Sequence, residues 1–244
     1  MSALMKADEN VIAILKEAKI DDTGIVLVGQ LSRPDYVAVN KFLEVAGAKW
    51  NRGQAKHLFT NPETKGKIEA LLQSGEILNE KNHFQSFYTP DDLAKKVIDE
   101  ACIILGMKVL EPSAGDGALA KPAFEKSGHI TCIEINPEAA KSLSILGFIP
   151  IIQDFLTIEP EPIYDRVVMN PPFTKGQDIK HILHAMKFLK PGGILVAICA
   201  NGPKQNKELK PMVENMGGKW EDLPAGSFKE SDTGVNTALL SIIL

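Results

Sequence analysis

The chain has 244 residues, 44% hydrophobic and 24% charged, which suits one large α/β domain with a smaller appendage. No apolar run reaches the length of a membrane span and the start lacks a signal-peptide pattern, so a soluble cytoplasmic protein with no membrane partner is expected. A formal net charge of −4 excludes a global electrostatic nucleic-acid binder; any such surface must be a local basic patch.

Residues 1–82 read as a small α+β module. Val11 to Leu15 begin a helix, and the glycine-bounded run Gly24 to Gly29 is a strand. Ser32 and Pro34 open a helix carried by Tyr36, Val39, Phe42 and Leu43, which ends at Gly47. Lys49 to Phe59 read as two strands turning at Asn51 to Gly53. Asn61, as N-cap, and Pro62 then open a third helix that ends before Gly75.

Residues 83–244 alternate apolar strands with helical patterns. The strands are Lys108 to Pro112, Ile130 to Ile135, Ile149 to Gln153, Asp165 to Asn170 and Ile194 to Ala200, read as buried on both faces. The helices are Asp91 to Leu105, Ala118 to Lys126, Pro137 to Leu146, Asp178 to Leu189 and Lys207 to Met216. That alternation predicts a doubly wound, mostly parallel sheet. Lys219 to Leu223 and Asn236 to Leu244 leave no room for a helix between them and predict an antiparallel hairpin at one sheet edge. Cys102, Cys132 and Cys199 lie apart in apolar stretches, so buried thiols are expected, with no disulfide framework and no metal site.

Three strand ends carry chemistry. Glu111, Pro112, Ser113, Ala114, Gly115, Asp116 and Gly117 close the first strand and open a helix; the glycines permit a tight turn and a close ligand approach, and Glu111 is an acceptor for a cationic amine. Glu134, followed by Ile135, ends the next strand and is placed to accept from both hydroxyls of a ribose. Asp154 ends the third and is placed to accept from an adenine amino group, with Phe155 against the purine. Each acid alone reads as a helix cap or a solvated charge; together they describe a pocket for an adenosine-bearing cofactor. After the fourth strand comes Asn170-Pro171-Pro172-Phe173. The two prolines stiffen the turn, the Asn170 side-chain oxygen and the Pro171 carbonyl are acceptors for an amino group on a planar base, and Phe173 is placed to stack on it.

These motifs, with Phe87-Tyr88-Thr89-Pro90 before them, resemble the amino-methyltransferases of DNA, the adenine-N6-specific ones above all. The resemblance covers about two-thirds of the chain. It implies a class I methyltransferase-like sheet of seven strands with an antiparallel last strand, S-adenosylmethionine as cofactor, and base flipping of the target. It also implies that Tyr88, Thr89 and Pro90 contact the methionine part and that Glu111 to Gly117 surround its amino-acid end. Glu134 and Ile135 would meet the ribose, Asp154 and Phe155 the adenine, and Asn170 to Phe173 the target base, with Asn170 also reaching the cofactor. The chain departs from that family in lacking a large target-recognition domain after the catalytic core. The module must then serve, with Lys49, Trp50, Arg52 and Lys56 as nucleic-acid contacts and Lys175 beside the cleft; the basic loop Pro203 to Lys210 is the next choice. A monomer acting as a solitary methylase or as the modification half of a restriction system is expected. RNA adenine and a protein glutamine amide stay open as acceptors, and a non-catalytic cofactor-binding regulator stays open as a different class.

Overall fold

The computed structural model describes residues 4–79, 89–227 and 235–244. The chain divides into two compact units, 1–83 and 84–244.

In the first unit the elements run β1 (Leu4–Lys6), α1 (Glu9–Glu17), β2 (Lys19–Ile20), β3 (Gly24–Val26), α2 (Arg33–Ala46), β4 (Ala48–Asn51), β5 (Lys56–Phe59), α3 (Thr64–Ser74) and β6 (Glu76–Leu78). Four strands form an antiparallel sheet in the order β2-β3-β5-β4, and β1 pairs with β6. The helices bury Val11, Leu15, Val39, Leu43, Ile68 and Leu71 in one core with Ile25 and Ala48. Ser32 caps α2, its Oγ accepting from Asp35 N at 3.3 Å. The third helix starts later than the Asn61-Pro62 pattern predicts. Asn61 Oδ1 accepts instead from Glu63 N (3.1 Å) and from Thr64 Oγ1 (3.0 Å), closing the turn that leads into α3.

The second unit runs α4 (Asp91–Glu100), β7 (Val109–Glu111), α5 (Ala120–Ser127), β8 (Ile130–Glu134), α6 (Pro137–Ile145), β9 (Ile151–Ile152), β10 (Tyr164–Met169), α7 (Gln177–Met186), β11 (Leu189–Ala200), α8 (Pro203–Asn215), β12 (Lys219–Asp222) and β13 (Thr237–Ile243). The seven strands lie in the order β12-β13-β11-β10-β7-β8-β9. β7 to β11 pair in parallel, and β13 pairs antiparallel with both β11 and β12. The order reverses between β7 and β10, so a crevice for a ligand opens at their carboxyl ends. Glu111 ends β7, and Asn170 follows β10. No described helix is long and apolar enough to cross a membrane.

Several expectations need correction. Helix α4 stops at Glu100 rather than Leu105: Cys102 turns left-handed (φ 48°), and the Arg166 side chain takes the carbonyls just past the helix, Nε donating to Ala101 O (2.6 Å) and Nη2 to Cys102 O (3.4 Å). Cys102, just beyond, is exposed with a left-handed backbone; Cys132 and Cys199 are buried. β9 is an edge strand, and both of its isoleucines are exposed, so it is not covered on two faces. The basic segment Pro203 to Lys210 is no loop but the first turns of α8.

Candidate active site

The glycine turn after β7 is pinned to the neighbouring strand. Ala114 N donates to Ile133 O (2.9 Å), and Gly117 N donates to Ala114 O (2.9 Å). Gly115 and Gly117 both take left-handed backbone, at φ 54° and 91°. At Gly117 packing also requires the glycine: a Cβ there would meet the Leu146 and Leu143 side chains at 3.0 and 3.1 Å.

Glu134 reaches across to this turn. Its Oε2 accepts from Gly115 N and its Oε1 from Asn136 N, each at 2.7 Å. The carboxylate therefore shapes the turn, and each oxygen keeps a further lone pair for a ribose hydroxyl. Burial raises its pKa, partly offset by those backbone bonds. Ile135 follows with an exposed side chain. Asp154 is exposed and caps the short turn at Phe155–Thr157, accepting from Leu156 N at 3.0 Å.

Phe155 is a correction. It is 2% exposed and packs against His181, His184 and Phe188, so its ring is core and offers no face to a purine. The acid before it points out, whereas the apolar ring turns in to cover the sheet.

Glu111 is also 2% exposed, and its Oε2 has no hydrogen-bond partner among the described residues. Burial, then Asp116 and Glu134, push its carboxyl well above the ordinary range. A buried acceptor of this kind costs free energy until a donor arrives. A cationic amine supplies both the donor and the charge, so the site fits the amino-acid end of an adenosyl cofactor. Without it the stability sign follows from linkage. Glu111 contributes fully below its unfolded pKa of about 4.3. The contribution falls by about 1.4 kcal/mol per pH unit as pH rises to the raised folded value, and is lost beyond it. Glu111→Gln, which cannot ionise, is expected to flatten that decline in thermal melts across pH; superimposable profiles would show that Glu111 carries no buried charge.

On the opposite lip, Asn170 Nδ2 donates to Thr89 Oγ1 at 3.1 Å, which fixes the orientation of the amide. Thr89 is buried, and Pro90 precedes α4. Pro171 is buried and Pro172 half-buried. Tyr88 lies outside the described residues. Phe173 is 8% exposed and belongs to the core cluster with Leu93, Ala94 and Val97 of α4, so little of its ring is open for stacking. Lys175 is exposed in the left-handed region (φ 58°), and Lys204 Nζ lies 2.7 Å from where a Cβ on Gly176 would sit, so the two lysines flank the loop.

Sequence reasoning missed Asp178. It is fully buried and accepts from Ala200 N (3.0 Å) and from Gln205 Nε2 (2.9 and 3.0 Å), tying the start of α7 to the end of β11 and the start of α8. A carboxylate at a predicted helix start reads as a surface cap; only the fold buries it. In the first unit, Lys49, Trp50 and Arg52 are exposed. Lys56 is not: its Nζ donates to Asp21 Oδ2 (2.6 Å) and Thr23 Oγ1 (2.7 Å), which removes it from the phosphate contacts.

The methyltransferase small domain family matches residues 92–221. A type II methyltransferase of Paramecium bursaria Chlorella virus XZ-6E is 31% identical over 100 residues, covering 39% of this chain and 26% of that relative. The chain thus spans about a quarter of that relative's length. Among solved structures, the methyltransferase subunit of a type I restriction-modification system from Streptococcus thermophilus superposes with a TM-score of 0.52 at 20% identity, covering 64% of this chain and 44% of that one. A SAM-dependent O-methyltransferase from Thermotoga maritima gives a TM-score of 0.49 at 14% identity over 72% of this chain and 82% of that one.

Proposed function

The chain belongs to the methyltransferase small domain family, with S-adenosylmethionine as its methyl donor, and from that premise we propose that it methylates the exocyclic N6 amine of adenine in DNA. The observation that carries the acceptor assignment is Asn170. Its amide follows β10 at the topological switch point, beside the strand that ends in Glu111, and Thr89 fixes its orientation.

When bound, S-adenosylmethionine supplies an already activated methyl group, so the protein needs no covalent intermediate. Glu111 would hold the amine of its amino-acid end, Glu134 the ribose and Asp154 the adenine. Ser113, Ala114 and Gly115 would form the wall between. The difficulty lies with the acceptor nitrogen, whose lone pair is delocalised into the ring. Asn170 Oδ1 and the Pro171 carbonyl, accepting its two N–H bonds, favour a pyramidal nitrogen with the lone pair directed at the methyl. Catalysis is then mainly alignment plus stabilisation of charge developing on nitrogen. The nitrogen would gain the methyl as the methyl–sulfur bond breaks, its electron pair staying on sulfur to leave S-adenosylhomocysteine, and one of the nitrogen's protons would leave to water. Pro172 keeps the loop stiff, and Phe173 supports it from the core. An adenine within a duplex cannot reach such a cleft and must be flipped out. Lys175 and Lys204 beside the loop, and Lys49 and Arg52 in the first unit, are the phosphate contacts.

Purified protein with methyl-labelled S-adenosylmethionine and DNA, RNA or protein tests the assignment. Label is expected in DNA, as N6-methyladenine after digestion. Label in RNA or in glutamine amides instead would overturn the acceptor while leaving the methyltransferase intact.

A further inference from the structure

The first unit holds a cleft of about 450 Å³, lined in part by Leu27, Gln30, Arg33, Tyr36, Trp50 and Ala55. Trp50 is 49% exposed although it shares a core-facing strand side with fully buried Ala48. Its ring rests on His57, its cross-strand partner, at 4.9 Å between centroids, and Tyr36 approaches the same imidazole at 6.1 Å. His57 is fully buried. Asn40 donates its Nδ2 to Glu44, so Asn40 Oδ1 is the acceptor, and His57 Nε2 must donate to it, at 3.0 Å. That leaves Nδ1 as a buried acceptor with no partner among the described residues, behind two aromatic rings.

The charges around this cleft are uneven. Lys56 and Lys65 are neutralised by Asp21 and Asp22. Arg33, which lines the cleft, and Arg52, in the turn between the lining residues Trp50 and Ala55, have no carboxylate partner among the described residues. Arg33 stands in the first turn of α2, where the helix dipole repels a cation, so its charge does not serve the helix. Ala55 lines the cleft with a left-handed backbone (φ 47°), a strain that a glycine would relieve.

We propose that this cleft is a stacking site for one unpaired nucleobase, with Trp50 as the platform and Arg33 and Arg52 holding the adjacent phosphates, so that the first unit binds single-stranded DNA in preference to duplex. The choice of DNA rests on the substrate reading given above. A half-exposed indole over a rigid support offers a π face that every base can use, and stacked duplex bases cannot present theirs to it. Gln30, which lines the cleft, suits the amino or imino groups that bases carry. The local cations supply the attraction that the overall charge of −4 withholds.

The test uses the full chain without cofactor, so its outcome is independent of methyl transfer. Trp220→Phe leaves Trp50 as the sole tryptophan. Its fluorescence is titrated with one single-stranded oligodeoxynucleotide, the same sequence as duplex, and the same sequence as RNA. Quenching by the single-stranded DNA is expected; anisotropy of a dye-labelled oligonucleotide, which needs no tryptophan, should then show affinity lowered roughly 5-fold to 150-fold by Trp50→Ala and largely retained by Trp50→Phe. Arg52→Glu should flatten the salt dependence on the single strand by about 0.7 unit of log–log slope. Duplex binding as tight as the single strand, or unchanged affinity in Trp50→Ala, would overturn the stacking site. Tighter binding of the RNA would overturn the DNA assignment. Absence of methyl transfer alongside the expected quenching would sink the adenine reading and leave this one standing.

Discussion

Replacing Asn170 with alanine is expected to lower single-turnover methyl transfer roughly a hundredfold to a thousandfold while leaving cofactor affinity nearly unchanged. The split follows from where the side chain sits. Asn170 is beyond the end of β10, held by Thr89, whereas Glu111 and Glu134 stand on β7 and β8. Losing one positioned group that acts on developing charge in a closed site costs about 3–4 kcal/mol, by analogy with one oxyanion-hole donor. Thr89→Val, which leaves Asn170 in place but removes its anchor, should cost less and act in the same direction. Calorimetry reports the cofactor and rapid-quench transfer to DNA reports the chemistry. Wild-type transfer by Asn170→Ala would refute the mechanism; loss of cofactor binding would move Asn170 to the donor side.

Glu134→Ala is expected to be the most damaging change on the donor side, because it removes two functions together. Ribose hydroxyls bonded to a charged acceptor are worth about 1.5–3 kcal/mol, or roughly 10-fold to 150-fold in affinity. The same substitution strips the acceptor from Gly115 N and Asn136 N. A buried donor left without a partner costs about 1–3 kcal/mol, so the thermal midpoint should fall as well. Glu134→Gln keeps an oxygen for one of these bonds and should lose less stability than Glu134→Ala. If calorimetry finds equal cofactor affinity in Glu134→Ala, the carboxylate is a structural tie alone.

Phe173 and Phe155 illustrate how position in a motif and position in a fold diverge. Phe155 follows Asp154 directly and Phe173 stands three residues after Asn170, the pattern expected of a ring facing a ligand. Both are buried: Phe155 under α7, Phe173 in the cluster with α4. A Phe→Ala change at either would open a core cavity worth about 3–5 kcal/mol, so loss of activity in such a variant would not by itself report stacking. Lys56 makes the same point for charge. It sits in a basic stretch of the first unit, yet Asp21, 35 positions away, claims it.

The sequence by itself determined the doubly wound sheet, its antiparallel last strand, and the acids and asparagine at successive strand ends. These rest on local periodicity and on turn residues, which act over a few positions and are legible in one dimension. The tertiary structure alone decided the partners. It gave Glu134 to Gly115, Asn170 to Thr89, Lys56 to Asp21 and Asp178 to Ala200 and Gln205. It also turned Phe155 and Phe173 into the core and left Trp50 beside a cleft. Each of those outcomes depends on which distant segment packs against the side chain. Burial and pairing are set by the packed surface as a whole, and neither periodicity nor spacing encodes the neighbour across it.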